Sequence, residues 1–292
     1  MGYPPEARLL ILNADDFGMC HDENEATIIG LTRGLFTSST ILTTCPWFEE
    51  AAEFARTTPR ADLGVHLTLN AEWARYKWGP VLGRDEVPSL VDERGYLWPD
   101  VPSVFAHDRL EEVELELQAQ IEKAIAAGIE VTHLDCHMGP LHLRADYHRI
   151  YLKLACDFRL PLRLTSRRVM RELGMADILA DLERAGILHP DNFVSRGPRI
   201  LEETEVLWTN LLRSLKPGIS EIYCHPALAR EELKACATDW QQRQRDFDFF
   251  TSEKTRRLIK DEGIELIGYR KLRDKMNSRS DSPSRSGEGA GG

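Results

Sequence analysis

Short apolar runs alternate with longer amphipathic stretches along most of the chain. Residues 8–13 (RLLILN) have the length and composition of a buried strand. Residues 22–34 follow with acidic residues in the first turn and a glycine at the end, the signature of a helix. Residues 37–44 (TSSTILTT) are rich in β-branched side chains and predict a second strand, 48–56 a short helix, and 62–67 (DLGVHL) a third strand. The pattern resumes with an amphipathic helix over 108–127, a strand over 130–135, a helix over 144–158 and a strand over 161–165. It continues with a helix over 171–185, a short strand over 192–195, a helix over 202–215 that stops before Pro217, and a strand over 220–224. A charged helical region over 238–262 and a last strand over 264–268 complete it. This is an α/β alternation. It predicts a TIM-like (β/α) barrel of about 7–8 parallel strands, closed or nearly closed, with outer helices.

Two stretches break the pattern. Residues 70–107 form a long irregular insertion holding Trp73, Trp78 and Trp98 with several prolines and glycines, and loops of that length inside a domain are usually functional or lid-like. Residues 277–292 are mostly Ser, Arg, Gly and Asp and are expected to be a disordered tail, leaving residues 1–276 as a single domain.

Composition narrows the function. With 292 residues, 42% hydrophobic, the chain can bury a large core without staples. A net charge of −10 argues against a nucleic-acid backbone as partner but is compatible with a neutral sugar. No apolar run is long enough to span a membrane, and residues 1–8 lack the apolar segment of a signal peptide, so the expected location is cytoplasmic. Cys20, Cys45, Cys136, Cys156, Cys224 and Cys236 have no zinc-ribbon or paired spacing and are expected to be reduced thiols.

The chemistry gathers where strands are predicted to end. Asp15 and Asp16 stand together in Asn13-Ala14-Asp15-Asp16-Phe17-Gly18, directly after the first strand. Adjacent side chains on a strand diverge, so both could reach one site only at a turn, one binding a metal and the other handling a proton; a simple turn with a helix N-cap fits the residues as well. His66 ends the third strand, where a lone imidazole is more often a core residue than a ligand. Four of the nine histidines fall in residues 133–148, and period-2 alternation puts His133, Asp135 and His137 on one face. There Asp135 could orient a liganding imidazole. Cys136 and Cys224 each precede a site-facing histidine and are expected to pack outward. His225 ends another strand, before Pro226. In a parallel barrel these ends meet on one face, and one Asp with two His makes an open three-ligand site.

The segments NADDFG (13–18), GVHLT (64–68), THLDCH (132–137) and EIYCHP (221–226) resemble, in order, those of the YdjC-like carbohydrate deacetylases, the chitooligosaccharide and hopanoid-associated type. The resemblance implies a modified (β/α) barrel, a metal held by Asp16, His66 and His137, Asp15 as general base and His225 as general acid. It also implies an acetylated sugar as substrate, Mg²⁺ as cofactor and a homodimer. By ligand type alone, two imidazoles and a carboxylate suit Zn²⁺, Co²⁺ or Fe²⁺ better.

The sequence departs from the family pattern at Met138-Gly139-Pro140, where a run of histidines is common, at Ala227 and in the length of the insertion. Trp78 and the other insertion tryptophans could stack on sugar rings or pack the loop. Two alternatives stand beside the deacetylase: a barrel metalloenzyme acting on another amide or sugar, and a non-catalytic sugar-binding relative. The adjacent Asp pair with a distant His225 favours hydrolysis.

Overall fold

The computed structural model describes residues 2–194 and 201–280. Seven strands form one parallel sheet: β1 (Arg8–Phe17), β2 (Ser38–Ile41), β3 (Leu63–Leu67), β4 (Val131–Cys136), β5 (Asn192–Val194), β6 (Gly218–Cys224) and β7 (Ile264–Leu266). Their order is β4-β3-β2-β1-β6-β5, with β7 beside the first half of β1 and β2 beside its second half. The sheet curls into a half-barrel with helices around it. β2, β3 and β4 are buried along their whole length, as expected for parallel strands covered on both faces.

The barrel does not close. The fifth of the eight predicted strands, over 161–165, shrinks to a single parallel bridge between Leu162 and Leu134. Pro161 has no N–H to extend the ladder, and the chain leaves for the helix Arg167–Glu172, capped by Ser166. One hydrogen bond, from Leu162 N–H to the Leu188 carbonyl at 3.1 Å, spans the gap.

Several helices differ from expectation for local reasons. The predicted helix over 171–185 is two, Arg167–Glu172 and Ala176–Ala185, separated by Gly174 at φ 71°. The region 238–262 breaks at Ser252, whose hydroxyl caps the second piece, Glu253–Asp261. The short strand predicted over 192–195 ends at Val194; Ser195 lies outside the described residues. The helix Tyr269–Ser280 carries ordered structure past residue 276, and the rest of the expected tail, 281–292, lies outside the described residues.

The insertion is a packed lobe. It contains the helix Val101–His107, started by Asp100, and it buries Val87, Leu90 and Leu97. Glu116, on the helix Leu110–Ala126, accepts from the N–H groups of Val81 and Leu82 at 2.8 and 3.0 Å. Trp78 is 2% exposed and donates to the Asn70 carbonyl, and Trp98 stacks on His107. All six thiols are free; Cys224 packs with Trp208 and Phe250, and Cys136 joins the main core. No helix among the described residues is long and apolar enough to cross a membrane.

Candidate active site

The strand order brings the ends of β1, β3, β4 and β6 around one cavity of about 620 Å³. Asp15 and Asp16 both line it. The register of β1 against β2 slips between Ala14 and Phe17, and Asp16 takes a left-handed conformation with φ 67°. That bulge cancels the alternation that would send neighbouring side chains apart. Asp is among the few residues that enter this region at modest cost.

Asp16, His66 and His137 come together. Asp16 Oδ1 lies 3.1 Å from His137 Nδ1 and 3.4 Å from His66 Nε2, and one donor atom from each of the three residues falls within 4.8 Å of the others. A four-coordinate ion with bonds of ~2.0–2.2 Å holds its ligands ~3.3–3.6 Å apart, so these buried groups fit a divalent cation. A second trio, Asp15, His66 and Asp135, is equally compact. There, however, Arg163 already pairs with both carboxylates, at 2.7 Å from Asp15 and 2.8 Å from Asp135.

Two buried arginines shape the charge. Arg163 grips Asp15 with both terminal nitrogens at 2.7 Å and turns its Nε to Glu221 at 2.8 Å. Burial alone would raise the Asp15 pKa, but Arg163 holds it below the ordinary carboxylate value. Asn13 donates to Asp15 at 2.8 Å, and Thr40 to Asp135 at 2.8 Å. Arg243 reaches Asp16 Oδ2 at 3.0 Å and also contacts Glu23 and Asp239. It leaves Asp16 Oδ1 to the two histidines.

Each of those histidines is backed by a carboxylate. Asp135 lies 2.5 Å from His66 Nδ1, and Glu72 lies 2.9 Å from His137 Nε2. Burial works against protonation of His66, yet Asp135 prevails and lifts its pKa to about 9. His137 is likewise raised, by Glu72 and Asp16 against burial. His225 stands at the open side, 32% exposed, with Nε2 3.8 Å from Asp16 Oδ2. Burial holds it below the ordinary imidazole value despite Asp16.

His133 shares the inward face of β4 with Asp135 but sits away from the cavity. It is fully buried and stacked on Tyr269 at 3.8 Å. Gly64 makes room for it, since a Cβ there would meet the His133 ring at 2.7 Å. Trp78 touches the edge of His137 at a centroid distance of 6.0 Å, while Trp73 is the tryptophan that lines the cavity.

Sequence reasoning missed Arg163, Arg243, Glu72 and Glu221. Arg163 had a signal, a charge inside the apolar run PLRLT. Arg243 lies in an evenly charged helix and Glu72 in the insertion, where nothing marks them.

Residues 9–261 match the family model described as YdjC-like protein. A carbohydrate deacetylase of Enterococcus faecalis is 34% identical over 267 residues, covering 90% of this chain and 97% of its own length. A carbohydrate deacetylase of Thermus thermophilus is 35% identical over 259 residues, covering 86% and 89%. Among solved structures, a cellobiose-phosphate cleavage protein from Enterococcus faecalis superposes with a TM-score of 0.78 at 32% identity, covering 91% of this chain and 99% of the other.

Proposed function

The chain belongs to the YdjC-like family, and from that premise we propose that it hydrolyses the acetamide of an N-acetylated sugar or short chitooligosaccharide-like oligomer. It is an enzyme, a carbohydrate deacetylase, and its products are acetate and a free amine. The observation that carries this reading is the pair of adjacent aspartates sharing one pocket: one bound through both oxygens by an arginine, the other with an oxygen turned to two histidines.

Asp16, His66 and His137 are the residues that would hold a divalent cation. Such a cation supplies Lewis acidity, which polarises the amide carbonyl and lowers the pKa of water. Asp15, kept ionised by Arg163, accepts a proton from the attacking water. Asp135 holds His66 in one orientation through Nδ1. His225, at the open side of the pocket near Asp16, is the general acid. Its proton goes to the leaving nitrogen as the C–N bond breaks, and the proton that Asp15 took from water restores it once acetate and the free amine have formed. Trp73 offers an aromatic face on the cavity wall for a sugar ring.

The donor set of two imidazoles and one carboxylate favours Zn²⁺ or Co²⁺ over the Mg²⁺ of the family resemblance. The name of the Enterococcus faecalis structural relative adds a phosphorylated disaccharide to the substrates worth testing. The experiment is acetate release from diacetylchitobiose and from its phosphate, with chelator and with Zn²⁺, Co²⁺ or Mg²⁺ restored. Release that chelator stops and a metal restores is expected. No release from either sugar, by folded protein with every metal, would sink the reading. The homodimer implied by the resemblance is checked by light scattering on the same preparation.

A further inference from the structure

We propose that Glu72, which the 70–107 insertion delivers to the cavity, sets which nitrogen of His137 faces the cation, so that the insertion and the cation bind as one coupled unit. This rests on the cation site of the preceding reading and not on its sugar chemistry. The two histidines present opposite nitrogens to Asp16: Nε2 of His66 at 3.4 Å and Nδ1 of His137 at 3.1 Å. In each ring the far nitrogen meets a carboxylate, Asp135 at 2.5 Å for His66 and Glu72 at 2.9 Å for His137. A neutral imidazole carries one N–H, and a carboxylate on one nitrogen takes it and leaves the other as a lone-pair ligand. Glu72 therefore does for His137 what Asp135 does for His66.

The difference lies in where the two carboxylates come from. Asp135 sits on β4, inside the barrel wall. Glu72 sits on the insertion, and its main-chain neighbours are tied down. Ala71 N–H donates to the Trp98 carbonyl at 2.8 Å, Lys77 Nζ to the Ala71 carbonyl at 2.5 Å, and Trp78 Nε1 to the Asn70 carbonyl at 3.1 Å. Trp78 also sets its ring edge-on against His137. The insertion thus grips His137 twice, by a hydrogen bond and by an aromatic contact. Coupling between sites is reciprocal: if the docked insertion strengthens cation binding by some factor, the cation strengthens docking of the insertion by the same factor.

The test uses the full chain and Zn²⁺ alone, titrated against a chromophoric chelator with no sugar present. Glu72→Ala is expected to weaken Zn²⁺ binding about 10–100-fold. Glu72→Gln is expected to lose less, because its amide oxygen still accepts from His137 Nε2–H. In parallel, Zn²⁺ should slow tryptic cleavage after the exposed Arg75 and Arg84 of the insertion in the parent protein and not in Glu72→Ala. Unchanged Zn²⁺ affinity in Glu72→Ala, or cleavage indifferent to Zn²⁺ in the parent, overturns the coupling. A loss well beyond about 100-fold, equal in the Ala and Gln variants, overturns it too, since that marks Glu72 as a direct ligand. Failure of deacetylation is read in a separate assay and leaves this result standing.

Discussion

Asp15 and Asp16 are neighbours on one strand, yet each is held by its own buried arginine, and the two clamps are built differently. Arg163 takes both oxygens of Asp15 and is ringed by two further carboxylates, Asp135 and Glu221, all fully buried or nearly so. Arg243 takes one oxygen of Asp16; of its other partners Glu23 is buried, but Asp239 is 42% exposed. The first clamp balances the charge of its aspartate and fixes its orientation, while Oδ2 keeps a second lone pair toward the cavity. The second leaves one oxygen pointing at two imidazoles. Identical side chains one residue apart thereby gain different surroundings, which suit the base and cation-ligand roles proposed for them.

The largest expected effect tests the charge balance of the two clamps. Arg163→Met strands Asp15, Asp135 and Glu221 in the interior and should cost about 3–5 kcal/mol in urea unfolding. Arg243→Met should cost less, about 1–3 kcal/mol, because Glu23 can take a proton and Asp239 can turn to water. Equal losses would break the comparison. Next comes the division of labour. Asp15→Asn should lower kcat about 10²–10⁴-fold with Zn²⁺ affinity retained, whereas Asp16→Asn should lose both. An Asp15→Asn enzyme with full activity would remove Asp15 from the base role.

The smallest effect concerns the surplus carboxylate of the first clamp. Burial lifts the Glu221 pKa to about 7 from 4.5, against Arg163 and the Tyr269 hydroxyl. Glu221 therefore gains protons on folding. Its contribution to stability is complete below about pH 4.5 and is lost as pH rises through about 7. Glu221→Gln should flatten this fall, by on the order of 1–3 kcal/mol between about pH 5 and about pH 8. Parallel stability curves for the parent and Glu221→Gln would show that Arg163 leaves no carboxylate uncompensated.

The strand ends were legible because periodicity marks where strands stop, and function in such sheets gathers there; Asp15, Asp16, His66, His137 and His225 all line the cavity. The sequence allowed Asp15 and Asp16 to converge at a turn but did not decide it against a simple helix cap, because Asp16 carries no glycine-like mark of its left-handed backbone. His133 obeyed the alternation and still missed the cavity, since alternation fixes the face and not the height along the barrel. Arg163 was marked only as a charge inside an apolar run, and Arg243 and Glu72 are chosen by tertiary contact, to which local pattern is blind. The predicted strand over 161–165 failed for a local reason after all, Pro161 at its start.

The placement of β1 has a consequence for assembly. Arg8 lies opposite Gly218 on one side and Ile264 on the other, so the strand made first is bordered by strands made near the end. Such pairings close very long loops and are intrinsically slow to form. Asp15 leaves the ribosome long before Arg163 and Glu221 can surround it. The growing chain must therefore keep an apolar strand and a bare carboxylate waiting, and the site acquires its charge balance only as the last part of the barrel docks.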